Sequence, residues 1–152
     1  MLVTREDYYG ANSDSEDNGE DSDSEDEEES LPERISLLTL CLYEGQDEEV
    51  AFLLEHGADV NQPNEPSRTT PIFHCDTSTS MELLIKAGAD VNWQNAEGRT
   101  PLMVHARKGK YGMQMVRLLL KQISINKGVK DSKDKTALDY AKGDKMKSLL
   151  SS

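Results

Sequence analysis

The side chains able to do chemistry are few: two cysteines, Cys41 and Cys75, and three histidines, His56, His74 and His105. A thiol–imidazole pair would make a nucleophile, and His74 and Cys75 are neighbours in the chain. Adjacent residues on a helix point about 100° apart, so these two do not face each other. The histidines are too dispersed for a metal set, and two lone cysteines give neither a CxxC pair nor a disulfide framework. No Gly-rich phosphate loop follows a strand, and no Ser–His–acid arrangement stands out. The densest carboxylates, between Asp14 and Glu29, lie in a stretch without fixed geometry, which does not suit general acid–base work. The chain is therefore read as not an enzyme, with no cofactor and no metal.

The elements that would carry a surface function are set out by charge. The chain has 152 residues and a formal net charge of −12. Residues 1–30 hold 13 acids and one base, residues 31–85 ten acids and two bases, and residues 86–152 six acids and 14 bases. From Asn12 to Ser30 nearly every residue is Asp, Glu, Ser, Asn or Gly, which buries too little apolar surface to offset ordering. Residues 1–31 are expected to form a disordered acidic tail. Ser13, Ser22, Ser24 and Ser30 each precede an acid three positions on. This resembles the target pattern of acidophilic kinases of the casein kinase 2 type, and each phosphate would add roughly −1.5 to −2 charges. No apolar run approaches the roughly 18 residues of a membrane span, and the N-terminus is acidic where a targeting signal is basic. An intracellular protein, cytoplasmic or nuclear, is expected.

The remaining 121 residues repeat. Leu53-Leu54-Glu55-His56-Gly57-Ala58-Asp59-Val60-Asn61 recurs 31 positions later as Leu84-Ile85-Lys86-Ala87-Gly88-Ala89-Asp90-Val91-Asn92, and again, degraded, at 119–126. A second string alternates with it: Thr70-Pro71-Ile72, Thr100-Pro101-Leu102 and Thr136-Ala137-Leu138. Thr-Pro reads as an N-cap followed by a first helical residue that needs no amide hydrogen. Gly57 and Gly88 stand where a left-handed residue ends a helix. Each unit thus reads as helix, turn, helix and hairpin-like loop.

These two strings in alternation resemble the ankyrin repeat, whose usual period is 33 residues. The resemblance implies an all-α solenoid of stacked helix-turn-helix units over residues 32–152, in four units of about 32–64, 65–95, 96–129 and 130–151. One helix pair cannot bury its apolar face alone and must stack on neighbours. The first unit has Ser36-Leu37-Leu38 in place of Thr-Pro-Leu. The second is short between Cys75 and Met81, so its first helix or its turn must shrink. The third carries extra residues at Gly109–Gly112 and lacks a helix-ending glycine at Gln122-Ile123. The fourth ends soon after Leu149-Leu150, so its second helix should be brief. The family's histidine after Thr-Pro-Leu is replaced by Thr39, Phe73, Met103 and Asp139, so its hydrogen-bond network cannot form in the usual way. Cys41, Cys75 and His105 occupy the family's small-alanine position, with His105 expected to be partly buried or pushed toward solvent.

What the resemblance implies about function is protein binding through hairpin tips and the exposed side of the first helices. Carried over residue by residue, those positions are Gln94, Ala96, Glu97 and Arg99 at one tip, Arg107 and Lys108 on the helix, and Lys130, Ser132, Lys133 and Lys135 at the next tip. Trp93 reads either as an exposed anchor or as packing between hairpins. Asn61 and Asn92 match the asparagine that asparaginyl hydroxylases modify in many ankyrin repeats. With Lys110, the cations of the last two units are expected to lie near one another and to steer an acidic partner segment. The acidic tail then either folds back to compete with such a ligand or only solubilises the chain. The expected protein is a monomeric interaction module, an adaptor or an inhibitor that masks its partner. The alternative is an acidic chaperone-like protein whose tail binds basic partners such as histones. Nucleic acid is not the expected ligand, since no stacking aromatics accompany the cations, and no membrane is involved.

Overall fold

The computed structural model describes residues 2–4 and 34–152. Strand β1 (Leu2–Thr4) pairs antiparallel with β2 (Arg34–Ser36). Seven helices follow: α1 (Leu37–Tyr43), α2 (Asp47–Glu55), α3 (Ser78–Lys86), α4 (Pro101–Arg107), α5 (Met113–Leu120), α6 (Ala137–Tyr140) and α7 (Asp144–Ser151). Two 3-10 turns, Pro71–His74 and Gly109–Gly112, complete the helical structure. Apart from β1, the expected disordered tail lies outside the described residues, and so do Ser13, Ser22, Ser24 and Ser30.

The helical elements follow one another in pairs, α1–α2, the first 3-10 turn with α3, α4–α5, and α6–α7, the first to fourth units in chain order. Their starts follow from capping. Thr100 Oγ1 accepts the Met103 amide at 3.4 Å, and Ser36 Oγ does the same for Thr39 at 3.1 Å. The missing threonine of the first unit is thus replaced by a serine with the same acceptor. Their ends follow from Gly57 (φ 84°) and Gly88 (φ 92°). The Ala58 amide reaches the Leu53 carbonyl and the Ala89 amide the Leu84 carbonyl, both at 2.9 Å, closing each helix with a left-handed residue. In the third unit, where that glycine is absent, the Gln122 side-chain amide donates to the Leu118 carbonyl at 3.1 Å.

The departures resolve physically. The second unit shortens its first helix to one 3-10 turn and leaves it through extended Cys75 (φ −65°, ψ 129°). The surplus of the third unit becomes the second 3-10 turn, joining α4 to α5. In the fourth unit the expected brief second helix is instead eight residues long, as long as α5. The shortening falls on α6, which stops after four residues because Ala141 is extended and Gly143 (φ 87°) starts the next helix at once.

One core runs through the stack, containing Leu38, Val50, Ile72, Met81, Leu84, Leu102, Met103, Val116, Leu119 and Met146. Each such side chain contributes roughly 1.5–3 kcal/mol before entropy is counted. Polar bonds then stitch each unit to the next along three lines. At the hairpin tips, Arg34 exchanges backbone bonds with Glu65, the Ala96 amide donates to the Ser67 carbonyl at 2.9 Å, and the Ser132 amide to the Glu97 carbonyl at 3.0 Å. At the turns after the second helices, Asn61 Nδ2 donates to the Gly88 carbonyl while its Oδ1 accepts the Asp90 amide. Asn92 repeats this with the Ser124 carbonyl and the Asn126 amide. At the interhelical links, Asp47 accepts from the hydroxyls of Thr77 and Ser80, and Asp76 pairs with Lys108 at 2.8 Å.

Candidate functional site

Two of the hairpin tips are each organised by the side chain at the first position. Asn95 Oδ1 accepts the amides of Glu97 (3.0 Å) and Arg99 (2.9 Å). Asp131 Oδ1 accepts those of Lys133 (2.9 Å) and Lys135 (3.0 Å). Gly98 provides the left-handed turn of one tip (φ 73°), a conformation that Arg68 and Asp134 adopt at the tips on either side.

On this frame the predicted residues fall into distinct roles. The side chains of Gln94, Ala96, Glu97, Ser132, Lys133 and Lys135 are exposed, although the backbones of Ala96, Glu97 and Ser132 are committed to the ladder between tips. Gln94 Nε2 donates to the carbonyls of Gly98 (2.8 Å) and Lys130 (3.2 Å), bridging two tips. Of the two readings of Trp93, packing between hairpins is the one the geometry matches. Its ring is partly buried against the core, and Nε1 donates to the Arg68 carbonyl at 2.9 Å.

The cations do not form the single group expected from the sequence. Arg99 and Lys130, Lys133 and Lys135 lie at the tips, whereas Arg107, Lys108 and Lys110 lie at the opposite end of α4, about 10 Å along its axis. The tip cations are also partly neutralised from within. Arg99 pairs with Glu97 and approaches Asp131 at 3.8 Å, and Lys130 pairs with Asp134 at 2.8 Å. Asp131 is held below the usual carboxylate range by the Tyr140 hydroxyl first, then by backbone amides and Arg99. The guanidinium of Arg99 and the ammonium of Lys135 lie over the Tyr140 ring at 5.4 and 5.7 Å.

The residues with chemical potential are structural. His105, expected partly exposed, is fully buried. Its Nε2 donates to the Ile72 carbonyl of the preceding unit at 3.0 Å, so the neutral ring carries its hydrogen there, and Nδ1 has no partner. His74 is a hub that the sequence did not reveal. The Ser36 amide donates to Asn64 Oδ1 (3.0 Å), which turns the Asn64 amino group toward His74 Nε2 at 3.3 Å. Nε2 therefore accepts, and Nδ1 donates to the Tyr43 hydroxyl at 2.9 Å. Burial pushes both imidazoles down to about 4. Burial likewise raises both thiols, Cys41 and Cys75, and the Cys75 sulfur meets the Pro71 carbonyl at 4.0 Å rather than an imidazole. Among the described residues no group of three or more His, Cys, Asp or Glu side chains could hold a metal. None of their helices is long and apolar enough to cross a membrane.

Comparison with known proteins agrees with this geometry. The family described as ankyrin repeats, in three copies, matches residues 73–152. Among solved structures, the ankyrin repeat domain of Bcl-3, a unique member of the IkappaB protein family, superposes with a TM-score of 0.70 at 24% identity. The alignment covers 78% of this chain and 52% of that one, so the chain spans about half the length of the structure it resembles. No curated protein matches.

Proposed function

Because the chain belongs to the ankyrin-repeat family, we propose that it is a non-catalytic protein–protein interaction module, monomeric, acting as an adaptor or as an inhibitor that masks its partner. The observation that carries this reading is the rigid ladder of hairpin tips. Backbone bonds lock three successive tips together, and the side chains of Gln94, Ala96, Glu97, Ser132, Lys133 and Lys135 project from it into solvent. A row of exposed side chains on a fixed backbone binds with a smaller ordering cost than a mobile loop, which favours a recognition surface. Arg107, exposed at the far end of α4, and Lys108 beside it are a second proposed contact point, separate from the tips. Lys133 and Lys135 have no carboxylate within 4 Å among the described residues, which supports a partner with an acidic segment.

The test is affinity capture from the native cell by the intact chain and by Lys133→Glu/Lys135→Glu, with mass spectrometry of what is retained. A partner held by the native protein and lost by the variant supports the surface. Equal retention by both overturns it. The same preparation reports on modification. Asn61 and Asn92 are proposed hydroxylation targets and Ser13, Ser22, Ser24 and Ser30 proposed phosphorylation sites, each readable as a mass increment on its peptide.

A further inference from the structure

A second surface lies on the outer helices, away from the tips. We infer that the groove between α5 and α7 docks an acidic, amphipathic segment of a second partner protein. The groove has a volume of about 560 Å3, and its lining includes the apolar Met113 and Leu149 and the cations Arg117 and Lys145. Both apolar residues are only partly buried. Lys110 and Tyr111, in the 3-10 turn that leads into α5, and Lys142, two residues before α7, stand in the chain just ahead of the groove's lining. The link before α7 lies against the end of α4 and the turn after it, since the Lys142 amide donates to the Ala106 carbonyl at 3.4 Å and a Cβ at Gly109 would touch Lys142.

Charge identifies the occupant. The ion pairs of the described residues use Arg99, Lys108 and Lys130, leaving Arg117, Lys145, Lys110 and Lys142 without a carboxylate within 4 Å. At the tips, by contrast, Arg99 and Lys130 are cancelled in place and only Lys133 and Lys135 stand without a close carboxylate. A free acidic segment meets four such cations in and beside the groove, and its apolar residues would cover Met113 and Leu149. Tyr111, 77% exposed with Lys110 at 4.8 Å from its ring, offers a residue type enriched at binding hot spots. Asp144 lies among the lining residues, so a uniformly anionic polymer such as nucleic acid meets a like charge there. A protein segment can place a neutral residue opposite it.

This surface goes beyond the tip ladder and faces elsewhere, so one chain could hold two partners at once, as an adaptor must. The probe is a fluorescein-labelled 16-residue peptide alternating Glu pairs with Leu, with Leu→Ser and single-stranded oligonucleotide controls of equal charge, read by anisotropy against the intact chain at low salt. Arg117→Glu/Lys145→Glu is expected to weaken binding at least tenfold and Leu→Ser at least fivefold, while Lys130→Glu/Lys133→Glu changes it less than twofold. Far-UV circular dichroism confirms that the variants fold. No binding by the native chain, equal loss in both charge variants, indifference to leucine, or tighter binding of the oligonucleotide would each overturn the proposal. Loss confined to the tip variant would overturn it while leaving the tip reading intact.

Discussion

His105 of the third unit donates its Nε2 hydrogen to the Ile72 carbonyl of the second, at 3.0 Å across 33 residues. The bond answers a defect. The 3-10 turn of the second unit ends at His74, and a helix end leaves carbonyls without intrahelical partners. A side chain two positions beyond the family's usual histidine supplies the missing donor from the neighbouring unit, where small alanine would ordinarily sit. The irregular turn and the irregular residue are therefore one adaptation.

His105→Ala, which restores the small residue typical of the family, is expected to destabilise the protein by about 2–4 kcal/mol, because it opens a cavity and leaves a buried carbonyl unpaired. Urea unfolding measures this, and an unchanged or higher midpoint would show that the bond adds nothing.

Loss of solvent lowers both imidazoles to about 4 in the folded chain, His105 fully buried and His74 partly so, against 6.5 when free. The unfolded chain therefore takes up protons first as pH falls. Stability from these two groups is complete above about 6.5 and lost progressively between there and about 4. Urea midpoints at pH 7 and pH 5, at constant ionic strength, should differ accordingly. His105→Ala should flatten part of the slope, and a profile level from pH 7 to pH 5 would contradict the burial of both rings.

Gly112 has no room for a side chain, since a Cβ there would collide with the His105 carbonyl. Gly112→Ala is expected to cost more than about 3 kcal/mol by forcing backbone apart. Gly45, whose Cβ position is open and whose φ is 69°, should cost only about 1 kcal/mol when changed to alanine. Thermal melts of the two variants compare a collision with a conformational penalty, and equal losses would argue against the collision.

Trp93→Ala is expected to lower stability by about 2 kcal/mol through lost packing and the lost bond to Arg68. An exposed binding anchor would instead leave the melting temperature unchanged and affect capture alone.

The repeat architecture was legible because its signals are local. Thr100-Pro101 caps a helix and Gly88 ends one wherever the fold places them. The wiring between units was not, because it depends on which atoms a 31- to 36-residue offset brings together. Nothing in the spacing of Tyr43, Asn64 and His74 announces a hub, although Asn64, Asn95 and Asp131 at the first position of successive tips were a readable hint. The grouping of cations failed for a similar reason. Sequence proximity suggested one patch, but the length of α4 separates Arg99, in the tip before it, from Arg107 at its end, and pairing with Glu97, Asp131 and Asp134 is a property of the folded tips.

The Asp76–Lys108 pair has one more consequence. It lies between units two and three, where residues 34–85 with nine acids and two bases meet residues 86–152 with six acids and 14 bases. A rigid rod with opposite charge on its halves is an electric dipole along its stacking axis. Such a body experiences torque as well as attraction in a partner's field, within roughly the 8 Å Debye length of physiological salt. The order of the repeats therefore sets the direction in which a charged protein is turned before it touches either surface.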